Sequence, residues 1–179
     1  MPRRSGRWIA LVVLALVAGL VALTVTGSGR LRSDQSSMNE RWSALRAPLD
    51  ARYSSLRNAA NVVDRVGNTR TVTGDITSAY QTWQRARQLR KPDLEVAAAN
   101  TLEGLGRRLG ANVATSAKLR DNPDVNAALA TYAQSLPLDP LVEAYDSAAA
   151  RYAKNRVHAR ARLAAALFGF DPRAALRMA

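Results

Sequence analysis

Apolar side chains recur at helical intervals along most of this chain. It opens differently, with an uncharged and mostly apolar run over residues 8–26. At ~1.5 Å rise per residue, that run makes a helix of roughly 28 Å, about one bilayer hydrocarbon thickness. A cleaved signal peptide is the alternative. However, the run exceeds the ~7–15 residues of a usual signal core, and Val25-Thr26-Gly27 is a poor cleavage site. The pattern predicts a basic tail over 1–7, carrying Arg3, Arg4 and Arg7, and then an uncleaved transmembrane helix over 8–26. Gly27-Ser28-Gly29 predicts a hinge over 27–33, because glycine weakens a helix on both sides.

From Met38 the apolar positions are Met38, Trp42, Leu45, Leu49, Tyr53, Leu56, Ala60 and Val63, in steps of three and four. Such a stripe predicts one long amphipathic helix. Pro48 lies inside it without shifting its phase, so a bend near Pro48 is expected rather than a break. Ser37 and Glu40 have capping-box spacing. A second helix is expected to open at Thr73 or Asp75, with Ile76, Tyr80, Trp83 and Ala86 on one side, and to stop at Lys91-Pro92-Asp93. A third carries Ala98, Leu102, Leu105, Leu109 and Val113. Asn122-Pro123-Asp124 opens a short helix, with proline suited to the first helical position. A last helix is expected from about Leu141 to Phe168, with Tyr145, Ala149, Tyr152, Ala159, Leu163 and Leu167 on one face. No alternating, hairpin-bounded run predicts a strand. The expected fold is all-α: an N-terminal transmembrane helix followed by an antiparallel bundle of long amphipathic helices over 34–170, with 171–179 as a tail. Trp42, Leu45, Leu56, Leu102, Leu105, Leu109, Tyr145, Tyr152 and Leu163 are expected to share one core.

Composition narrows the chemistry. Across 179 residues there is no cysteine and a single histidine, which removes disulfides, thiol nucleophiles and imidazole metal clusters. Lys+Arg number 26 against 14 Asp+Glu, a formal charge of +12. No phosphate loop, metal-ligand spacing or nucleophile-base pairing is visible, so neither an enzyme activity nor a cofactor is expected.

Tyr145-Asp146 and Tyr152-Ala153, seven apart and followed by Phe168-Gly169-Phe170, resemble the C-terminal pattern of the LemA family. Arg52-Tyr53 with Leu56 and Asn58, Ala99-Asn100, and Asn122-Pro123-Asp124-Val125 are similar to further elements of that family. Asp146 and Ala153 stand where the family usually has asparagine, Arg57 where it has proline, and Ala159-Arg160 where it has Phe-Pro. The resemblance, to a divergent member, implies a membrane-anchored bundle in the cell envelope. It implies no reaction.

Arg151, Lys154, His158 and Arg162 fall on one side of the expected last helix, opposite its apolar seam, and no acidic residue occurs between Arg151 and Phe170. They form a candidate surface for lipid headgroups, an acidic partner or, less favoured, nucleic acid. The plainer reading is a solvated face in an arginine-rich chain. Arg156 falls inside the apolar stripe, making it a candidate for a buried ion pair with Glu103, Asp64 or Glu143. Glu103 and Arg107 read as a plain surface pair four residues apart. The functional expectation is a single-pass, non-catalytic scaffold or adaptor of the cell membrane, with the bilayer and other membrane or envelope proteins as partners. The alternative is a binder of anionic ligands through the basic C-terminal helix. Basic residues nearly balance across the span. The short basic tail resembles a signal-anchor and favours an extracytoplasmic C-terminal domain, with the cytoplasmic side as the alternative.

Overall fold

A computed structural model describes the backbone of residues 5–67, 69–134, 138–158, 161–162, 165–166 and 169–178. Side chains are described from residue 28 onward within those stretches, and at Leu14. The helices are α1 (Ser5–Gly67), α2 (Arg70–Leu89), α3 (Pro92–Thr115), α4 (Ala117–Arg120), α5 (Pro123–Gln134) and α6 (Asp139–Arg156). Among the described residues there is no strand, and no helix is long and apolar enough to cross a membrane. Apart from Leu14, the side chains of residues 8–26, on which the expected span rests, lie outside the described set, as do those of Ala159, Leu163, Leu167 and Phe168.

The helices pair as the stripes require. Thr73 Oγ1 donates to the Ala60 carbonyl, and the Trp83 indole reaches Asp50, so α2 descends along α1. Glu95 and Glu103 of α3 meet Arg46 and Arg52 of α1 in the same order, so α3 runs parallel to α1. Leu119 of α4 packs under Gly67 at the far end of α1. From there α5 and α6 return along α1: Arg52 meets Tyr132, Trp42 meets Tyr145, and Asp34 meets Asn155. The result is an up-down-up-down bundle whose fourth member is split into α5 and α6.

The joints follow local chemistry. Arg90 ends α2 in the left-handed conformation (φ 51°), and its N–H bonds back to the Arg87 carbonyl. Pro92 then sits in the first turn of α3, where its missing N–H costs nothing. Asn122 Oδ1 accepts from the N–H groups of Asp124 and Val125, capping α5 before Pro123 begins it.

The core contains Trp42, Leu45, Leu56, Leu102, Leu109, Tyr145 and Tyr152, all buried as expected, with Leu105 half-buried against it. Trp42 lies between Trp83 (centroids 6.3 Å, edge-on) and Tyr145 (5.1 Å, tilted), and Tyr53 meets Trp83 edge-on at 5.2 Å. Pro48 lies within α1 without ending it.

Three expectations need correction. First, α1 is helical straight through Gly27-Ser28-Gly29, where a hinge was expected, and Ser37 and Glu40 lie mid-helix rather than at a cap. Two glycines cost about 1 kcal/mol each in a helix. Ser28 and Leu31 are buried there, and burying one leucine contributes ~1.5–3 kcal/mol, which offsets the penalty.

Second, α6 ends at Arg156 and is followed by a turn at Val157 and a bend at His158, where one continuous helix was expected; residues 161–162 and 165–166 are helical again. Third, the stretch beyond Gly169 is no loose tail. Phe170 and Leu176 are buried, and helical side chains satisfy the backbone of this non-helical segment. The Tyr152 and Tyr145 hydroxyls donate to the carbonyls of Asp171 and Ala174, at 2.9 and 3.1 Å. Asn100 donates to the Ala175 carbonyl and accepts from the Arg177 N–H, and Asp146 accepts from the Leu176 N–H. A chain with few internal backbone bonds needs such partners when it packs on a core. They explain why it lies back along α3 and α6.

Candidate functional site

The most concentrated chemistry lies between α1 and α3. Glu95, fully buried, accepts from the Trp42 indole at 2.7 Å and from Arg46 at both carboxylate oxygens, at 2.7 and 2.8 Å. Two turns further, Glu103 takes a two-pronged contact from Arg52 at 2.8 and 2.9 Å. Both members are inaccessible, with 2% and 0% of their side chains exposed. The rest of the Arg52 fork goes to Tyr132, to its hydroxyl at 3.0 Å and its carbonyl at 3.3 Å, and the guanidinium lies 4.2 Å from that ring's centre. Gly106 makes room for this. A Cβ there would stand 2.5 Å from the Tyr132 hydroxyl, whereas one at Gly110 would meet nothing. A smaller cluster centres on Asp50, which receives Trp83, Gln84 and Arg87.

The electrostatics follow from burial and neighbours. Burial opposes charge on Arg52, yet the Glu103 carboxylate beside it raises the guanidinium above its ordinary value. Desolvation works against the Asp50 carboxylate too, but the bonds from Trp83, Arg87 and Gln84 together hold it below the usual range. Burial raises the Asp146 carboxyl, only partly opposed by the Leu176 N–H. Tyr132 is pushed up to about 12, by burial first and then by the Glu103 charge. Tyr145 is also pushed up to about 12, chiefly by burial.

A raised tyrosine pKa means the folded protein resists ionisation. Its contribution to stability is whole below about 10 and disappears as pH rises through about 12. Tyrosinate absorbance of the folded chain should therefore show Tyr132 and Tyr145 titrating late, and each phase should vanish in the matching Tyr→Phe variant. A folded titration in which neither substitution changes the curve above pH 11 would contradict these environments.

The Glu95 and Glu103 carboxylates of this arrangement face guanidinium groups inside the core. The arrangement fixes register. A slide of α1 against α3 by one turn, ~5.4 Å, would strand both glutamates without partners.

The residues singled out in the sequence lie elsewhere. Arg151, Lys154, His158 and Arg162 are exposed, but α6 stops at Arg156, so His158 and Arg162 lie beyond the helix whose face they were expected to share. Arg156 is half-buried and donates through Nε to the Phe170 carbonyl at 2.9 Å, not to a carboxylate. Glu103, one of its expected partners, belongs to Arg52 instead. A cleft of about 800 Å³ opens at this end, lined by Arg156, Val157, Arg162, Gly169 and Phe170 among others. Among the described residues, no group of three or more His, Asp or Glu is placed to hold a metal ion.

Sequence reasoning missed the Arg46, Arg52, Glu95 and Glu103 network. A signal was present: Glu95, Ala99, Glu103 and Gly106 recur in steps of four, four and three, a second stripe beside the apolar one of α3. No family model matches this chain, and neither does any curated protein or solved structure.

Proposed function

We propose that this chain is a single-pass membrane protein whose all-α bundle serves as a non-catalytic scaffold or adaptor of the cell envelope. One observation carries the reading: the apolar run over 8–26 and the heart of the bundle belong to one uninterrupted helix, α1. An anchor joined in this way transmits position. From Thr26 to Gly67 the helix rises roughly 60 Å, and α2, α3, α5 and α6 pack along it. Partners of such a scaffold are other membrane or envelope proteins that meet the bundle at a set height. The buried ionic register along α1 and α3 suits a rigid spacer better than a catalyst that must admit substrate.

Kinship with the LemA family is part of the same proposal. Its support is that residues carrying the resemblance make contacts that hold the bundle together. Tyr145 and Tyr152 hold the segment after Phe170, Arg52 and Tyr53 face α3, and Asn100 secures Ala175 and Arg177. The bundle is assigned to the extracytoplasmic side, from the short basic tail ahead of the run.

Membrane fractionation tests the anchor. The full chain should stay in the membrane pellet through alkaline extraction, and a chain lacking residues 8–26 should appear in the supernatant. Reporters fused after Arg7 and after Arg177 should report opposite compartments. A full chain released by alkaline extraction, or reporters on the same side, would overturn the proposal.

A further inference from the structure

The bundle has two ends, and their charge differs. Because α6 runs antiparallel to α1, its basic C-terminal end lies beside the stretch of α1 that leads into the apolar run. The contact that fixes this level is Asn155 Nδ2 to Asp34 Oδ2, 2.7 Å. Arg30 and Arg32 are exposed on α1 just before it. Arg151 and Lys154 are exposed on α6, Arg162 is exposed past its end, and Arg156 lines the cleft with Arg162. Within 28–34 and 151–171 the acidic residues are Asp34, which is engaged by Asn155, and Asp171, which lines the cleft with Arg156 and Arg162. At the far end, by contrast, Asp64, Asp75, Asp121 and Asp124 are interspersed with the cations of α1 to α5.

The two basic groups are far apart in sequence and brought together only by the fold. We infer that they form a collar that docks the base of the bundle on anionic phospholipid headgroups. The inference rests on the membrane-anchor reading above.

Distances favour the bilayer over a soluble anion. Asp34 is eight helical residues above Thr26, roughly 12 Å along the axis. The headgroup layer itself occupies about 5–7 Å outside the hydrocarbon. What remains is about the reach of one arginine side chain and less than the ~8–10 Å Debye length at physiological salt. Val157, 65% exposed, lies in the same turn as these cations. An apolar side chain among basic ones is the composition of a surface that rests in a membrane interface. Each cation near an anionic surface strengthens attachment about fivefold. The five exposed ones, Arg30, Arg32, Arg151, Lys154 and Arg162, would hold the bundle upright or tilted against the lipid according to membrane charge.

The absence of cysteine makes the test direct, since one introduced thiol labels one position. The full chain is labelled with an environment-sensitive dye at His158→Cys, or at Ala117→Cys on α4 near the far end. Both are placed in nanodiscs of neutral phosphatidylcholine, with or without about 30% phosphatidylglycerol, each containing a headgroup-attached quencher. The dye at 158 should be quenched several-fold more in the anionic discs. This excess should shrink with added salt and disappear in the Lys154→Glu/Arg162→Glu variant. The dye at 117, roughly 60 Å from the span, should not respond to lipid charge.

Equal quenching at 158 in both discs, or no effect of charge reversal, overturns the collar while leaving the anchor intact. A chain that does not co-elute with discs of either kind overturns the anchor, and the collar with it. Inorganic phosphate at matched ionic strength is the last arm. If it shifts the dye in neutral discs as far as anionic lipid does, the ligand is a soluble phosphate and the membrane assignment fails.

Discussion

Replacing Arg52 by methionine should destabilise the bundle by about 3–5 kcal/mol, the range found when one partner of a buried ion pair is removed. The substitution leaves Glu103 fully buried with its two strongest donors gone, and it also strips the Tyr132 hydroxyl and carbonyl of their guanidinium contact. Glu103→Leu should cost a similar amount, since it strands a guanidinium that is 2% exposed. The double variant is the informative one. With both charges gone and apolar side chains of similar length in place, it should recover much of the loss, because the desolvation cost of two ions is removed with them. Chemical denaturation of the three variants gives the coupling energy. If the two single losses simply add in the double variant, Arg52 and Glu103 do not act as a pair, and the register argument collapses.

Trp42→Ala carries the second large effect, about 3–5 kcal/mol for an aromatic removed from a packed core. Its ring touches Trp83 and Tyr145, and so joins α2 and α6 to α1. Truncation would open a cavity where three helices meet. Trp42→Phe separates packing from hydrogen bonding. It keeps most of the aromatic volume and removes only the indole N–H, while Arg46 still serves both oxygens of Glu95. That variant should lose about 1–2 kcal/mol, near the low end for an under-satisfied buried acceptor. Thermal unfolding followed by near-ultraviolet circular dichroism reads both changes. Trp42→Ala with an unchanged melting temperature would place the core elsewhere.

These two sites explain how a bundle with alanine-rich seams keeps one alignment. Alanine and leucine surfaces pack nearly as well after a slide of one turn, so apolar burial alone specifies register weakly. Glu95 and Glu103 penalise the slide, since each would lose charged partners inside the core. The buried aromatics add direction, because the Trp42 and Trp83 indoles point their N–H groups at Glu95 and Asp50. Stability comes from the leucines and tryptophans, and alignment from the carboxylates.

Much of this was legible along the chain. The step pattern from Met38 to Val63 determined α1's buried face, Lys91-Pro92-Asp93 marked the break between α2 and α3, and Pro123 marked the start of α5. Both signals are local: a helix repeats every 3.6 residues, and proline lacks an N–H wherever it sits. The all-helical class followed from them. Three features did not follow, and they share a cause. Glu103 reads as half of a surface pair with Arg107 until α1 supplies Arg52 from 51 residues away. Gly27 and Gly29 read as a hinge until the burial of Leu31 outweighs their helix penalty. The segment after Gly169 reads as a tail until Tyr145, Tyr152 and Asn100 bond its backbone. For Glu103 and for the tail the deciding partner is remote in sequence, and for the glycines a helix penalty of about 1 kcal/mol each yields to tertiary burial. The sequence by itself determined the all-helical class and which faces most helices bury. Only the tertiary structure decided which charges meet, because pairing depends on the alignment of helices that no local pattern encodes.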